Sequence, residues 1–313
     1  MSAIRAEGLT KRFGDVTAVD QLSLEVAEGE IFGLVGPDGA GKTTTMRLLT
    51  GIMDASSGDG WVFGRSVIRE SEAIKDDIGY MSQRFGLYHD LTVLENIRFY
   101  ADIYGVPRRQ CEQKIDELLE LSNLAPFKDR RAGNLSGGMK QKLGLSCALI
   151  HTPRVLFLDE PTNGVDPLYR REFWRILYQL QRQKVTVFVS TAYLDEAERC
   201  FRVGFLHEGK LIACDTPANI KKLLNGQVLE LRFSNARQAA ALLREDRPES
   251  SVGLFGDRVH MVTQDPERDL NQARSVVAKS HLELLSSRVI DPGLEDVFIS
   301  VLKKDAGGTH AFE

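Results

Sequence analysis

Apolar and polar residues alternate at the start of the chain, in the runs 3–13 and 17–26, which Gly14 and Asp15 separate. This alternation predicts a two-stranded antiparallel hairpin. Later runs are apolar at most positions, as in strands that are buried on both faces of a parallel sheet. These runs are 31–35, 155–158 and 184–190. The pattern predicts an α/β fold with a parallel central sheet.

Helical periodicity, with apolar residues three or four positions apart, occurs between these runs. It covers 92–104, 110–121, 143–150 and 167–182. A Thr92–Glu95 capping box is expected to begin the first of these helices, and Gly105 with Pro107 to end it. We therefore predict that residues 84–134 form a helical insertion in the α/β domain.

A second domain is predicted after Asn225 and Gly226, which are typical of a linker. The elements that follow have the order β-α-β-β-α-β, and a last helix covers 293–303. That order is typical of the ferredoxin-like fold. We predict the domains 1–224 and 225–304 and a disordered tail, 305–313. The second domain has no catalytic constellation, which favours an accessory or regulatory role.

Composition narrows the class of protein. The 313 residues are 42% hydrophobic and 27% charged, with a net charge of −4, as in ordinary globular proteins. A weak negative charge argues against a nucleic-acid coat. The four scattered cysteines favour reduced thiols over disulfides or a metal cluster. We expect no signal peptide, and the sequence contains no apolar run of the roughly 18–20 residues that span a bilayer, so a membrane role is expected to require a partner.

The strongest chemical signal is a glycine-rich loop directly after the run 31–35. It reads Gly36-Pro37-Asp38-Gly39-Ala40-Gly41-Lys42-Thr43-Thr44, a G-x-x-x-x-G-K-[ST] pattern between a strand and a helix. Glycines let backbone N–H groups surround phosphate oxygens, and a helix N-terminus favours the same anion. Lys42 adds charge for the β- and γ-phosphates, and the Thr43 hydroxyl is placed to bind Mg²⁺. The loop predicts binding of a nucleoside triphosphate.

Two carboxylates, Asp159 and Glu160, close the apolar run 155–158. Buried charges are costly unless they meet cations or a metal. Beside a phosphate loop, Asp159 is therefore predicted to lie near Mg²⁺ and Glu160 to polarise a water, with a solvated turn as the alternative. Gln83, at a strand end, is either a surface residue or a group that points into the same crevice. Phe13 either packs in the hairpin or stacks on a purine.

Two further helix starts carry polar caps. The first is Leu135-Ser136-Gly137-Gly138-Met139, in which Ser136 is a good N-cap and the glycines expose helix N–H groups. A plain N-cap is the alternative to an anion site there. At the second, Asp166 is predicted to cap a helix in which Pro167 takes the first position.

In order and spacing, these motifs resemble those of ABC-type ATPases. The L-S-G-G motif ahead of an acidic strand end is highly specific to that family among phosphate-loop proteins. The run 292–298 and the small C-terminal extension are similar to ATP-binding subunits of bacterial multidrug and daunorubicin-resistance exporters. The resemblance implies an α/β phosphate-loop NTPase core with an antiparallel β subdomain and a helical subdomain, followed by a small α+β domain.

The resemblance also implies a role for each motif. Phe13 would stack on adenine and the loop 36–44 would hold the phosphates. Mg²⁺ would be bound by Thr43, Gln83 and Asp159, and Glu160 would be the general base. The γ-phosphate on the opposite cassette would be contacted by Ser136, Gly137 and Gly138, while Asp166 would couple the two sites.

The partners implied are a second cassette, in a homodimer or a heterodimer, and a polytopic membrane permease contacted by the helical insertion. The chain would then lie on the cytoplasmic face of the inner membrane and power export of a drug or other hydrophobic substrate. No direct nucleic-acid binding is expected. Two alternatives stay open: a soluble ABC ATPase that acts on ribosomes or nucleic acid, and a regulatory ATP-binding cassette with little hydrolysis.

One position departs from the family pattern. Relatives usually have Ser-Thr-His-Tyr where this chain has Ser190-Thr191-Ala192-Tyr193. Loss of a positioned transition-state donor typically costs about 10²–10³ in rate, so we predict normal binding of ATP and Mg²⁺ but weakened hydrolysis. The chain would pair with a fully equipped cassette, or form a slow homodimer; an engineered substitution is a third possibility.

Overall fold

The computed structural model describes residues 2–84, 86–246, 251–278, 280 and 282–306. Contacts divide the chain into two compact units, Met1–Cys214 and Asp215–Glu313. The sequence predicted this boundary at 224. It falls earlier because a short helix at Pro217–Lys221 contacts the last helix of the second unit, Leu294–Ala306.

The first unit is built from strands and helices that alternate along most of its length. In chain order they are β1 (Ser2–Phe13), β2 (Val16–Ala27), β3 (Ile31–Val35), α1 (Lys42–Leu49), β4 (Ser57–Val62), β5 (Arg65–Ser66), β6 (Ile78–Met81), α2 (Val93–Ile103), α3 (Arg108–Leu121), α4 (Gly137–Leu149), β7 (Val155–Asp159), α5 (Pro167–Arg182), β8 (Thr186–Thr191), α6 (Leu194–Ala197), β9 (Arg202–His207) and β10 (Lys210–Asp215).

The central sheet has the order β10-β9-β3-β8-β7-β6. Strand β3 pairs in parallel with β8 and β9, and β7 pairs in parallel with β6 and β8. Every residue of β3, β7 and β8 is buried, as expected for parallel strands covered on both faces. The predicted α/β class is confirmed. The carboxyl ends of β3, β7 and β8 meet at one edge, where ligands bind in open α/β sheets.

A second sheet has the order β2-β1-β4-β5 with antiparallel pairs. Its first two strands are the hairpin that alternation predicted. The side chains that they bury include Ile4, Leu9, Leu22 and Val26. This sheet is the antiparallel β subdomain that the resemblance implies.

The segment predicted to be a helical insertion contains α2 and α3, which contact each other and α4. Thr92 and Glu95 form the predicted capping box: the Thr92 hydroxyl accepts from the Glu95 N–H at 3.1 Å, and the Glu95 carboxylate accepts from the Thr92 N–H at 2.8 Å. Ile115, Leu118 and Leu119 form the buried face of α3. No described helix of either unit combines the length and hydropathy of a bilayer-spanning segment.

The second unit has the ferredoxin-like order. Its elements are α7 (Pro217–Lys221), β11 (Gln227–Phe233), α8 (Ala236–Asp246), β12 (Val252–Phe255), β13 (Arg258–Thr263), α9 (Pro266–Ala278), β14 (Leu284–Ile290) and α10 (Leu294–Ala306). The sheet order is β12-β13-β11-β14, with antiparallel pairs throughout. The predicted tail begins too early at 305, because α10 continues to Ala306; the remaining tail residues, 307–313, lie outside the described residues.

Candidate active site

A glycine-rich loop joins β3 to α1, and its backbone leaves no room for side chains at two positions. Gly41 has a φ of 106°, and a Cβ there would lie 2.3 Å from the Ala18 carbonyl oxygen. A Cβ on Gly36 would lie 2.2 Å from the Leu206 carbonyl oxygen. Helix α1 begins directly after Gly41 without a side-chain cap. Its N-terminal end is therefore available to an anion.

Lys42 reaches back into this loop. Its side chain is only 4% exposed, and its Nζ donates to the carbonyl oxygens of Gly36 at 2.8 Å and Pro37 at 3.0 Å. The same Nζ lies 3.0 Å from Oε1 of Glu160. Two carbonyl oxygens and one carboxylate of the chain thus balance the positive charge of the Lys42 ammonium group.

Asp159 ends β7 and is 1% exposed. Its Oδ1 accepts hydrogen bonds from Ser190 Oγ at 2.7 Å and Thr43 Oγ1 at 3.2 Å. Its Oδ2 is buried and has no hydrogen-bond partner among the described residues. A buried carboxylate oxygen in that state needs a cation or a water, so this donor set of carboxylate and hydroxyl oxygens fits a hard divalent cation.

No three His, Cys, Asp or Glu side chains of the described residues form a group that could hold a metal by themselves. A cation beside Asp159 would therefore need oxygens from outside the chain. Mg²⁺ commonly binds in this way, through one or two protein ligands, waters and substrate phosphates.

Glu160 follows Asp159 in a left-handed backbone conformation, with a φ of 48°. Such a conformation costs a residue with a side chain roughly 1–2 kcal/mol, and it is held here by two hydrogen bonds from the Glu160 N–H to Ser190, at 3.0 Å to Oγ and 3.2 Å to the carbonyl oxygen. The carboxylate accepts from Gln83 Nε2 at 3.1 Å and Asn163 Nδ2 at 3.2 Å. Together with Lys42, these amides surround a base candidate that faces the loop.

The structure brings together five of the residues singled out in the sequence, namely Lys42, Thr43, Gln83, Asp159 and Glu160. Other candidates lie at other points of the first unit. Phe13 ends β1 with 49% of its surface exposed, and Lys11 Nζ lies 5.2 Å from its ring centroid. The hydroxyl of Ser136 accepts from the Met139 N–H at 3.3 Å, so Ser136 is the N-cap of α4.

Asp166 caps α5, because its Oδ1 accepts from the N–H groups of Leu168 at 3.0 Å and Tyr169 at 3.2 Å. Tyr169 in turn packs on the start of α4: a Cβ on Gly138 would lie 2.6 Å from its ring. The segments around Ser136 and Asp166 are therefore in contact through Tyr169. Sequence reasoning placed Tyr169 on the apolar face of this helix but gave it no role in the site, since nothing local distinguishes it from the other residues of that face.

The sequence analysis also gave no role to Glu196. Its side chain is 0% exposed and accepts hydrogen bonds from Thr162 Oγ1 at 2.5 Å and Thr191 Oγ1 at 3.0 Å. It also pairs with Arg170 Nε at 3.1 Å. The carbonyl of Thr191 accepts from the N–H of Gly36 at 3.3 Å. Glu196 thereby ties together segments that flank the glycine loop, and the acidic run 195–198 gave no sign of which carboxylate would be buried.

A family model, curated relatives and solved structures all relate this chain to ABC transporter proteins. The family described as ABC transporter matches residues 19–163. The probable multidrug ABC transporter ATP-binding protein YbhF of Escherichia coli is 44% identical over 220 residues, which are 70% of this chain but 38% of that protein. The daunorubicin resistance ATP-binding protein DrrA2 of Streptomyces coeruleorubidus is 33% identical over 99% of this chain and 98% of its own. A solved ATP-binding subunit of an ABC transporter superposes with a TM-score of 0.64 at 27% identity, over 71% of this chain and 92% of its own.

Proposed function

This chain belongs to the ABC transporter family, and we propose that it is an ATP-binding and ATP-hydrolysing subunit that powers an exporter. The observation that carries the proposal is the cluster of Lys42, Thr43, Asp159 and Glu160 at the carboxyl edge of the central sheet. These side chains combine a phosphate-binding cation, a metal-binding pair and a base. The relatives named for multidrug and daunorubicin resistance favour drugs or other hydrophobic compounds as the cargo.

The phosphates of ATP would be held by the loop 36–44. Lys42 would exchange its contacts with Gly36, Pro37 and Glu160 for the β- and γ-phosphates, which offer it a higher negative charge. The exposed ring of Phe13 would stack on the adenine.

Mg²⁺ would be held by Thr43, Gln83 and Asp159. The assignment is supported by the Thr43 hydroxyl and by the buried Oδ2 of Asp159, which has no hydrogen-bond partner in the part of the chain that the structure describes. When bound, Mg²⁺ supplies charge neutralisation to the transferring phosphoryl group.

Glu160 would take the proton of the attacking water. Its carboxylate is ion-paired with Lys42 in this state, so engagement of Lys42 by phosphate would release the carboxylate for this role. The hydrogen bond from Gln83 would likewise give way to metal binding.

A second cassette, the same chain or a different one, would complete the site. Ser136, Gly137 and Gly138 lie at the start of α4, and the Ser136 hydroxyl bonds to Met139 and not to the Lys42 cluster, which supports a contact with nucleotide bound to the partner. Asp166 lies on the segment that Tyr169 joins to Gly138, and it would couple the two sites.

A membrane permease would be the other partner, contacted by the segment of α2 and α3, and the chain would lie on the cytoplasmic face of the inner membrane. Affinity purification of the full chain from its own cells tests this proposal. A polytopic membrane protein in the eluate is expected. Ribosomes or nucleic acid in its place would instead support the alternative of a soluble ABC ATPase.

Hydrolysis would be slow, because Ala192 stands where relatives usually have histidine. The change Ala192→His is therefore expected to raise the turnover of ATP at least about tenfold, part of the roughly 10²–10³ that one positioned donor contributes. Phosphate release by the purified full chain measures it. Glu160→Gln is the control, because it removes the turnover that depends on the proposed base. If Ala192→His does not raise the turnover of ATP, the missing imidazole is not what limits hydrolysis.

A further inference from the structure

Three side chains of the described residues contact the carboxylate of Glu160, and two of them have other tasks in the proposed reaction. Lys42 would bind phosphate and Gln83 would bind the metal, whereas Asn163 is assigned to neither ligand. We propose that Asn163, held in place by Tyr193, is a positioning residue that orients the Glu160 base during hydrolysis. This inference rests on the ATPase function proposed above.

Asn163 is placed for this task by the turn after β7. Its N–H donates to the Glu160 carbonyl at 3.1 Å, and its side-chain Nδ2 donates to Glu160 Oε2 at 3.2 Å. The turn therefore directs the amide to the carboxylate of a residue three positions earlier. Because the contact is local, it does not depend on Lys42 or Gln83.

Tyr193 contacts the oxygen end of the same amide, whose NH₂ end must face the Glu160 carboxylate because a carboxylate only accepts. Its hydroxyl donates to Asn163 Oδ1 at 3.5 Å, which leaves Nδ2 to donate to the carboxylate. A flipped amide would set its oxygen against the carboxylate, and the Tyr193 hydroxyl would have to turn and accept from the NH₂ group. The carboxylate therefore selects the orientation of the amide, and the long contact with the Tyr193 hydroxyl adds to it.

Tyr193 is itself held from two sides. Its N–H donates to Thr191 Oγ1 at 2.9 Å, and the guanidinium carbon of Arg170 lies 4.3 Å from its ring centroid. Arg170 is paired with the buried Glu196. The chain of contacts from the base therefore ends in a buried ion pair, which limits how far Tyr193 can move.

This arrangement lies beside the position where the family pattern has histidine. Ala192 is flanked by Thr191 and Tyr193, so the residue after the missing imidazole reaches Glu160 through Asn163. A neutral amide can orient a carboxylate but cannot supply a proton. In the proposed reaction Glu160 still takes the proton of the attacking water, and Asn163 only holds the carboxylate in place.

The test compares steady-state ATP hydrolysis and equilibrium ATP binding of the full chain with those of Asn163→Ala and Tyr193→Phe. Asn163→Ala is expected to lower kcat about tenfold, the effect of one hydrogen bond to a charged group, with unchanged KM and ATP affinity. Tyr193→Phe is expected to lower kcat about threefold. The double variant should match Asn163→Ala, because Tyr193 acts through Asn163.

Matched controls separate positioning from structure. Asn271→Ala removes an exposed amide of α9, and Tyr178→Phe removes a hydroxyl that donates to the Arg199 carbonyl at 3.0 Å. Both are expected to keep the kcat of the unmodified chain. Adding Ala192→His to Asn163→Ala is expected to restore kcat to that of Ala192→His alone, a rescue that a merely structural role of Asn163 would not produce.

Three results would overturn the inference: an unchanged kcat in Asn163→Ala, a loss confined to KM or ATP affinity, or additive losses in the double variant. Tyr193→Phe keeps the test decisive if Asn163→Ala does not fold, because it removes only one hydroxyl. Absence of turnover in the unmodified chain would overturn the proposed ATPase function and this inference with it. Turnover that is insensitive to both variants would overturn the inference alone.

Discussion

The buried carboxylate of Glu196 makes a quantitative prediction about stability. The change Glu196→Ala leaves the guanidinium of Arg170, whose side chain is 18% exposed, without its closest anion. It also leaves the hydroxyls of Thr162 and Thr191 without their acceptor. Both losses fall on segments that flank the candidate active site.

The expected cost is about 3 kcal/mol. Removal of one partner from a buried ion pair costs roughly 3–5 kcal/mol, and each buried hydroxyl that loses its partner adds roughly 1–3 kcal/mol. Two features make the expected loss of stability smaller than the sum of these costs. Asp195 Oδ2 lies 3.6 Å from Arg170, and the ring of Tyr193 lies beneath the guanidinium, so the cation keeps part of its compensation. The hydroxyls can also turn toward other acceptors or water.

Urea unfolding followed by tryptophan fluorescence measures this cost in the first unit alone, because Trp61 and Trp174 are the only tryptophans and both belong to it. Trp174 is buried in α5, the helix that carries Arg170. With a slope of about 2 kcal/mol/M, a loss of about 3 kcal/mol lowers the midpoint by about 1.5 M.

Asp195→Ala is the matched control, since it removes a carboxylate that is 61% exposed and also faces Arg170. Its expected cost is below about 1 kcal/mol, as for surface pairs. The Glu196→Ala, Arg170→Ala double variant should be more stable than the sum of the single losses predicts, by about 2 kcal/mol. Additive losses, or a Glu196→Ala cost equal to that of Asp195→Ala, would refute the reasoning.

Two further predictions concern other parts of the chain. Gly138→Ala is expected to displace Tyr169, because the added Cβ would lie 2.6 Å from the tyrosine ring. The turnover of ATP should fall with little change in ATP affinity. A turnover equal to that of the unmodified chain would contradict a role for this contact. In the second unit, burial opposes charge on His260, but hydrogen bonds and attraction from Asp296 and Glu230 outweigh it, so the pKa of His260 is raised. The stabilisation that calorimetry measures relative to His260→Ala should therefore be full below about pH 6.5 and be lost as pH rises through the raised pKa; a pH-independent difference would count against it.

Local patterns predicted most of the fold. The glycine loop lies between a strand and a helix, and Asp159 and Glu160 directly follow a strand, so a few neighbouring residues defined each element. The order of elements after 226 was sufficient for the ferredoxin-like topology. The domain boundary and the length of α10 were harder to predict from the sequence, because both depend on contacts between residues far apart in the chain.

The contacts of Ser190, Asn163 and Tyr193 around Asp159 and Glu160 could not be predicted, for one physical reason. Ser190 lies opposite Asp159 only because β8 pairs in parallel with β7, and three consecutive buried runs do not by themselves determine which strands are neighbours. Once that register is known, the segments after the two strands must run side by side. Asn163 and Tyr193, each three or four positions past its paired residue, then fall within reach of each other. The surroundings of Ala192 are therefore a property of strand order, and a local motif that lacks its histidine cannot reveal which neighbouring groups contact Glu160.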